Sequence, residues 1–562
     1  MQPQIIECVP NFSEGRDSKI LDQIAEVIRS VDGVKLLDVD PGKATNRTVF
    51  TFAGAPEVVI EAAFRAIKKS YELIDMTRHT GEHPRMGATD VCPLIPIANI
   101  SMEETVEWAR RLGERVGREL NLPGYFYEFA ATTPERKNLA VIRAGEYEGF
   151  ASKILRPEWK PDFGPQEFNP RFGAMVIGAR NFLVAYNVNL NTTSTRRANA
   201  IAFDVREKGR ALREGDPLTG KPVLDANGEP VFEPGMLKSV KAIGWFIEEY
   251  GIAQISMNLT DVTVCSVHEA FEAVKLKSEE RGIRVTGSEL VGLIPKQSLI
   301  DAGKFYLHKQ NRSTGIPERE IIKIAVKSLG LDELKPFDPD KKIIEYVLNA
   351  GEGKKLADLT VEGFVNETLS ESPAPGGGSI SALAGALGAA LGTMVANLSS
   401  HKRGWDDKWE YYSNWAEQGA ALATELTQLV DEDTAAFNKI MDAFGLPNKS
   451  DAEKAARSEA IQAATRYAIE VPYRVMQRAG AVLPVLKAMV ETGMQSSLSD
   501  GGVGALCIKT AVSGAFLNVK INAATLKDET YKNDILAKAS ALESAVLSEA
   551  DAIIAEVHKR IG

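Results

Sequence analysis

Two histidines stand four positions apart in RHTGEHPRMGATDVCP, residues 78–93 of a 562-residue chain that holds six in all. On a helix, imidazoles at i and i+4 share a face and can hold one metal ion. Gly81 is a poor helix-interior residue and Pro84 pushes His83 out of the helical region, so this stretch predicts a loop leading into a strand. A metal reading would recruit His79, His83, Asp90 and Cys92. An acid/base reading needs only one imidazole, whose ordinary pKa of about 6.5 lets it take and return a proton near neutrality.

A second chemical candidate lies in the helix-patterned stretch 409–444. Leu422, Leu426, Leu429, Val430, Phe437, Ile440, Met441 and Phe444 mark one apolar face. At about 100° per residue, Asp433 falls within about 40° of Leu426, Phe437 and Ile440, in the middle of that stripe. Asp431 points the other way and reads as a solvated charge. A carboxylate in a buried stripe costs several kcal/mol unless it is paired or functional. Asp433 is therefore either a cap or ion-pair partner for another element, or an acid/base with a raised pKa. SPAPGGGSIS, residues 372–381, is a glycine loop entering a helix without the GK[ST] of a Walker A loop. It is either a modest anion site on helix-start amides or a tight turn that lets helices approach. SSLSDGGVGA, residues 496–505, reads as a second polar loop before a helix, with Asp500 as a possible cap.

The elements that must position these residues change character along the chain. Up to about residue 330, IIECVP, VKLLDV, RTVFTFAG and VCPLIPI read as strands, and 18–30, 56–74 and 101–121 as helices. AMVIGARNFLVAYNVNL opens a second set, continued by AQISMNLTDVTV and a helix near 266–281. This is α/β or α+β text, in two lobes of similar size without a convincing sequence repeat. Residues 213–235 are full of turn formers and predict a protruding hairpin around DANGEP. Residues 335–360 are charged and linker-like. Beyond them come helices only, at 379–399, 409–444, 451–482, 505–525 and 531–560, which predicts an elongated bundle. The uncharged stretch 380–400 is rich in Ala, Gly and Ser, so a close-packed buried helix is favoured over a membrane span.

Composition excludes several classes. Sixty-six basic against 76 acidic residues give a net charge of −10 with no basic tail, which argues against nucleic acid as a partner. Cys8, Cys92, Cys265 and Cys507 are scattered, as for free thiols in a reducing cytoplasm. The start lacks a basic n-region and an apolar h-region, so no secretory signal is expected.

Seven segments in register resemble the formiminotransferase-cyclodeaminase family over essentially the whole chain: CVPNFSEG (8–15), LLDVDPGKATNRTVFTF (36–52), GEHPRMGATDVCP (81–93), IRAGEYE (142–148), NVNL (187–190), GSELVGLIP (287–295) and APGGGS (374–379). The resemblance implies a multidomain enzyme. An N-terminal α+β transferase of two ferredoxin-like lobes, 1–180 and 181–334, would be followed by a linker, 335–360, and an all-α helical-bundle cyclodeaminase, 361–562. The first part would move the formimino group from N-formimino-L-glutamate to tetrahydrofolate. The second would close 5-formiminotetrahydrofolate to 5,10-methenyltetrahydrofolate and release ammonia. The family's transferase histidine falls on His83, and its cyclodeaminase aspartate, the second Asp of V-D-x-D, falls on Asp433. Its folate contacts fall on 164–173, with Gly164, Pro165, Phe168 and Gly173, and on 234–243, with Gly235, Lys238 and Lys241.

Tetrahydrofolate, polyglutamylated in the cell, is then a co-substrate, and neither step needs a metal. The resemblance further implies a cytoplasmic homo-oligomer joined through the helical domain. Asp40 is the candidate to orient or charge-match His83, Arg85 to hold a substrate carboxylate by its bidentate fork, and His79 to support the loop. The chain departs from the vertebrate members after REKGR (206–210), where the 213–235 hairpin intervenes before the second folate segment and leaves the grip on folate open. Within the family, N-formylglutamate as donor or a methenyltetrahydrofolate cyclohydrolase activity for the helical part are the alternatives. Outside it stand the metal hydrolase above and a non-catalytic scaffold built on the helices, which predicts no folate binding.

Overall fold

The computed structural model describes residues 4–42, 46–81, 85–215, 220–349 and 355–562. The chain falls into two compact units, Met1–Leu299 with Leu329–Gly351, and Ile300–Ser328 with Glu352–Gly562.

The first unit opens on β1 (Ile5–Cys8), β2 (Asn11–Phe12), α1 (Ser18–Arg29), β3 (Val34–Gly42), β4 (Arg47–Gly54), α2 (Pro56–Leu73), β5 (Thr89–Ala98), α3 (Met102–Leu120) and β6 (Gly124–Glu128). α4 (Leu139–Arg143), α5 (Glu146–Lys153) and β7 (Met175–Ala179) complete this part. The sheet runs β3–β4–β1/β2–β5–β7–β6, antiparallel except at β5–β7–β6. Period-2 alternation decides its faces. Ile6, Cys8, Phe50 and Phe52 enter a core with Ile24, Ile28, Ile67, Leu112 and Val116 from the three long helices. Glu7, Val9, Val49 and Thr51 therefore line the opposite face.

The second sheet is built by β8 (Val184–Leu190), α6 (Thr195–Val205), β11 (Val240–Ile247), β12 (Ile252–Leu259), α7 (Val267–Glu279) and β13 (Val285–Val291), in the order β11–β12–β8–β13 and antiparallel throughout. Both sheets share this βαββαβ order, because β1, α1, β3, β4, α2 and β5 of the first make β3–β4–β1–β5. The repeat is one of topology and left no trace in the sequence. Between α6 and β11, β9 (Arg210–Ala211) pairs with β10 (Phe232–Glu233), and further bridges at Arg213–Pro222 and Leu224–Pro230 carry the predicted hairpin outward.

The charged stretch after the second sheet is not plain linker. It forms α10 (Pro339–Lys342), α11 (Ile344–Asn349) and a 3-10 turn at Leu356–Asp358, while α8 (Lys296–Lys309) and α9 (Glu318–Leu329) precede it. The second unit is helical: α12 (Val361–Leu369), α13 (Gly377–Ser400), α14 (Trp409–Phe444), α15 (Asp451–Gly480), α16 (Leu483–Thr492), α17 (Leu498–Ala523) and α18 (Glu529–Ile561). Two expectations need correction. α16 was not foreseen, because it follows α15 with only two residues between them. The polar stretch 498–504 is not a loop but the first two turns of α17. Its Gly501, Gly502 and Gly504 are buried where a Cβ would crowd Val490, Val557 and Leu486, so glycine here serves close helix approach. α13 and the segment Gln495–Ala523 are long and apolar enough to cross a membrane, yet about half of each such window, 56% and 50%, is buried inside the unit.

Candidate functional site

In the first unit, hydrogen bonds stitch separate motifs into one loop cluster. Asn46, held at φ +48°, accepts from the Gly15 amide at 3.0 Å and donates to the Thr80 carbonyl at 2.8 Å. Ser13 Oγ donates to the Gly87 carbonyl at 2.8 Å. The segment matched to folate contacts returns against the same loop. Gly173, at φ +79°, leaves no room for a Cβ against Met86, and Ala88 donates to the Phe172 carbonyl at 2.8 Å. Phe168 lies against Tyr147 with centroids 5.6 Å apart and ring planes tilted by 49°, and the Tyr147 amide donates to the Arg85 carbonyl at 2.8 Å. Gly164 (φ +76°) and Pro165 begin this return beside Leu122. The sequence motifs thus converge by hydrogen bonding, which no single motif announces.

His83 lies outside the described residues. His79 is fully engaged: Nε2 donates to the Asn46 carbonyl at 2.8 Å and Nδ1 accepts from Arg85 Nε at 3.2 Å, the tautomer being assigned from these partners. Burial holds its pKa below the ordinary histidine value, against the Asn46 carbonyl. His79 is a brace. Arg85 is itself held, donating to both Glu148 oxygens at 2.9 and 2.7 Å and to Glu146 at 3.2 Å. Both carboxylates are well exposed, at 63% and 45%, and they line an open pocket with His79, Thr80 and Gly81. The metal-ligand set does not assemble from the described members. Asp90 is paired with Arg143 and accepts from the Met86 amide at 2.9 Å, while Cys92 Sγ is buried 3.5 Å from Cys8 Sγ.

Asp40 stands exposed on β3 opposite Val49, close enough to act on Arg47. Gly235 packs too tightly against Arg206 for a side chain, and Lys238 and Lys241 beyond it are exposed. Lys241 acts electrostatically on Glu128 together with Arg180 and Lys137. Sequence reasoning missed a cleft of about 580 Å³ between the two sheets, lined by Glu7, Asp38, Thr51, Arg180, Lys341 and Lys342. Glu7 is only 4% exposed, and burial pushes its carboxyl up to about 7 against the pull of Arg180. The one signal was its place between the core residues Ile6 and Cys8, which assigns it to the other face of β1.

In the helical unit the two features read separately from sequence are one site. The glycine-rich start of α13 has Gly376 as N-cap with no side-chain cap, so its first amides need an acceptor. Asp433 of α14 supplies it. Oδ2 accepts from Ser379 Oγ at 3.1 Å, and the Ser379 amide bonds the same carboxylate. Ser379 Oγ also reaches the Val430 carbonyl at 2.9 Å, fixing α13 on α14. At Gly378 a Cβ would stand 2.5 Å from Asp433 Cγ, so only glycine admits the carboxylate this close. Burial raises the Asp433 pKa above the ordinary carboxylate value, and the Ser379 hydrogen bonds recover part of the shift.

The stripe that singled out Asp433 is only half buried. Leu426, Leu429 and Val430 are core, but Phe437, Met441 and Phe444 are 37%, 54% and 49% exposed, because the last turns of α14 bury a different face, that of Ala436 and Ala443. Asp431 is no idle surface charge either; it accepts from the Leu356 amide at 2.6 Å and caps that 3-10 turn. Between them Glu432 pairs with Arg474 and accepts from Tyr467 at 2.6 Å.

Comparison with known proteins decides the lineage. Residues 5–180 match the model of the formiminotransferase domain, N-terminal subdomain, residues 185–349 that of the formiminotransferase domain, and residues 360–541 that of formiminotransferase-cyclodeaminase. A formimidoyltransferase-cyclodeaminase of Mus musculus is 41% identical over 99% of both chains. The chain belongs to the formiminotransferase-cyclodeaminase family. Shorter relatives match parts of the chain. A glutamate formimidoyltransferase of Streptococcus pyogenes serotype M1 is 41% identical over 55% of this chain and 95% of its own. A methenyltetrahydrofolate cyclohydrolase of Methylorubrum extorquens is 33% identical over 36% of this chain and 95% of its own.

Proposed function

We propose that the chain is a bifunctional glutamate formimidoyltransferase and formimidoyltetrahydrofolate cyclodeaminase. It transfers the formimino group from N-formimino-L-glutamate to tetrahydrofolate, then cyclises 5-formiminotetrahydrofolate to 5,10-methenyltetrahydrofolate with release of ammonia. The observation that carries the second step is the protonatable Asp433 carboxyl seated on the α13 start. In that step N10 attacks the formimino carbon within one molecule, so positioning supplies much of the rate. Asp433 takes the N10 proton and returns it to the departing nitrogen, the C–N bond to that nitrogen breaks, and ammonia leaves. A carboxyl with a raised pKa suits both transfers.

In the first step N5 attacks the amidine carbon, His83 takes its proton, and the same imidazole protonates the leaving glutamate amine. Asp40 charge-matches that imidazole. Arg85 exchanges its exposed Glu148 and Glu146 partners for a substrate carboxylate, since all three offer the same planar match. Segments 164–173 and 234–243, with Gly164, Pro165, Phe168, Gly173, Gly235, Lys238 and Lys241, grip the folate. The two exposed lysines favour a polyglutamylated one. The shared βαββαβ strand order supports a ferredoxin-like reading of both lobes.

A second copy of the chain is the proposed cover for an apolar face of the helical unit. On α13, Ile380, Leu387, Met394 and Leu398 are 38–53% exposed, and on α17 Val503, Leu506, Leu517 and Ile521 are 48–69% exposed. The four free cysteines fit work in the cytoplasm. The cyclohydrolase alternative draws on the Methylorubrum relative, 95% of whose length aligns with 36% of this chain. One experiment tests the main reading. N-Formimino- and N-formyl-glutamate are offered side by side with tetrahydrofolate, and methenyl product and ammonia are both quantified. Formimino donor giving equal amounts of both supports it; product from formyl donor without ammonia overturns it.

A further inference from the structure

Resting on this reading of Asp433, a second feature of the helical unit extends the site. A pocket of about 440 Å³ is lined by Asn448, Lys454, Arg457, Ser458 and Lys527, among others. Three cations meet there in a chain whose net charge is −10. Among the described residues, neither Arg457 nor Lys527 has a carboxylate within ion-pair distance, and Lys454 has only Asp451, which is 99% exposed, at 3.1 Å. Arg457 donates Nη2 to the Phe444 carbonyl at 2.6 Å, while its Nε is buried without a hydrogen-bond partner. Lys527 Nζ donates to the Ser458 hydroxyl at 2.9 Å. Two exposed lysines and one half-buried arginine therefore converge on a single pocket.

Its position relative to Asp433 follows from helix geometry. Phe444, whose carbonyl Arg457 holds, comes eleven residues after Asp433 on α14. Three turns of helix bring it back to within about 20° of the same face, about 16 Å along the axis. Between them Phe437 and Met441, 37% and 54% exposed, stand about 40° and about 80° round the helix from Asp433. In order, the surface offers a proton-carrying carboxyl, an apolar aromatic strip and a basic pocket. A reduced folate offers the complementary order: a pterin, a benzoyl ring and a dianionic glutamate. About eleven covalent bonds separate its N5 from the glutamate carboxylates, on the order of 15 Å when extended. We propose that Lys454, Arg457 and Lys527 receive the glutamate carboxylates of the folate whose pterin reacts at Asp433, with its benzoyl ring along Phe437 and Met441.

The test uses the full chain and two substrates, 5-formiminotetrahydrofolate and the corresponding tetrahydropteroate, which lacks the glutamate. For the double variant Arg457→Gln/Lys527→Gln, KM for the glutamylated substrate should rise at least about tenfold with kcat within about twofold, since charge-assisted hydrogen bonds are lost from binding alone. The glutamate-free substrate should show the same KM with wild type and variant. Lys559→Gln, which removes a charge paired with Glu556 near the far end of α18, is the control and should change neither. An unchanged KM for the glutamylated substrate overturns the proposal, and so does an equal rise for both substrates. A smaller sedimenting species accompanying the loss also overturns it, assigning the pocket to a subunit contact. Asp433→Asn measured alongside separates the two claims. If that variant still cyclises, the reading of Asp433 fails, whatever the pocket does.

Discussion

Gly378→Ala asks the most of the proposed cyclodeaminase site for the smallest change in the chain. The added methyl carbon would stand 2.5 Å from Asp433 Cγ and 2.6 Å from Oδ2. Carbon atoms in contact settle at about 3.5–4.0 Å, so the carboxylate must retreat by about 1 Å. The displaced group is the end of a half-buried side chain rather than backbone, and the fold can absorb the change. Overpacking costs about 1–3 kcal/mol, against a gain of up to about 1 kcal/mol from replacing glycine inside a helix. Net destabilisation should therefore stay within about 3 kcal/mol. Catalysis should suffer more, because a 1 Å misplacement of a reacting group can cost about 100-fold. The assay follows ammonia and methenyl product from supplied 5-formiminotetrahydrofolate, with a thermal melt on the same sample. Gly376→Ala is the steric control, since its Cβ would meet only the Pro373 carbonyl, at 3.9 Å. A folded Gly378→Ala enzyme cyclising at the wild-type rate would refute the placement of Asp433 as the proton carrier.

His83→Ala should abolish formimino transfer while supplied 5-formiminotetrahydrofolate is still cyclised, as separate activity assays will show; loss of both activities in a folded variant contradicts the two-site account. Glu7 binds its proton more tightly folded than unfolded, so its ionisation in the native state lowers stability progressively from about pH 4.5 to about pH 7, and no further above. Melts of Glu7→Gln against wild type should accordingly show a gap that widens across that window and then levels, on the order of 3 kcal/mol at most; a pH-independent gap removes the assignment. Gly388→Leu should cost at least about 1–3 kcal/mol in denaturant unfolding, because even a Cβ there would lie 2.9 Å from both the Gly504 carbonyl and Ile508. Leu387→Glu with Leu517→Glu should yield a smaller species in sedimentation if α13 and α17 meet a second copy, and unchanged mass would free that face.

Much of this fold was legible because its elements obey simple periods. The strands IIECVP, RTVFTFAG and VCPLIPI and the helix expected at 18–30 follow the periods the core demands, and each formed within a few residues of its expected bounds. What escaped reading was structure decided at a distance. The glycines at 501, 502 and 504 locally signal a loop, yet burial against Val490, Val557 and Leu486 makes them helix. Asp433 was visible from helical phase alone, and the glycine loop at 372–381 from composition. That the two are one site depends on α13 and α14 crossing there, which no local pattern encodes. The same phase argument overreached at Phe437, Met441 and Phe444, where apolar residues at core spacing face outward. Glu7 was passed over because a charged residue alternating with apolar ones in a strand usually points to water, whereas here a second sheet stands opposite.

The central claim is that one chain carries two successive reactions, the second dependent on Asp433. A single-turnover experiment with Asp433→Asn, given N-formimino-L-glutamate and tetrahydrofolate, tests it most directly. The substitution is nearly isosteric and leaves transfer chemistry untouched. The account predicts that glutamate is released at the wild-type rate, 5-formiminotetrahydrofolate accumulates in equal amount, and neither ammonia nor methenyl product forms. Ammonia and methenyltetrahydrofolate appearing at wild-type rates would contradict it.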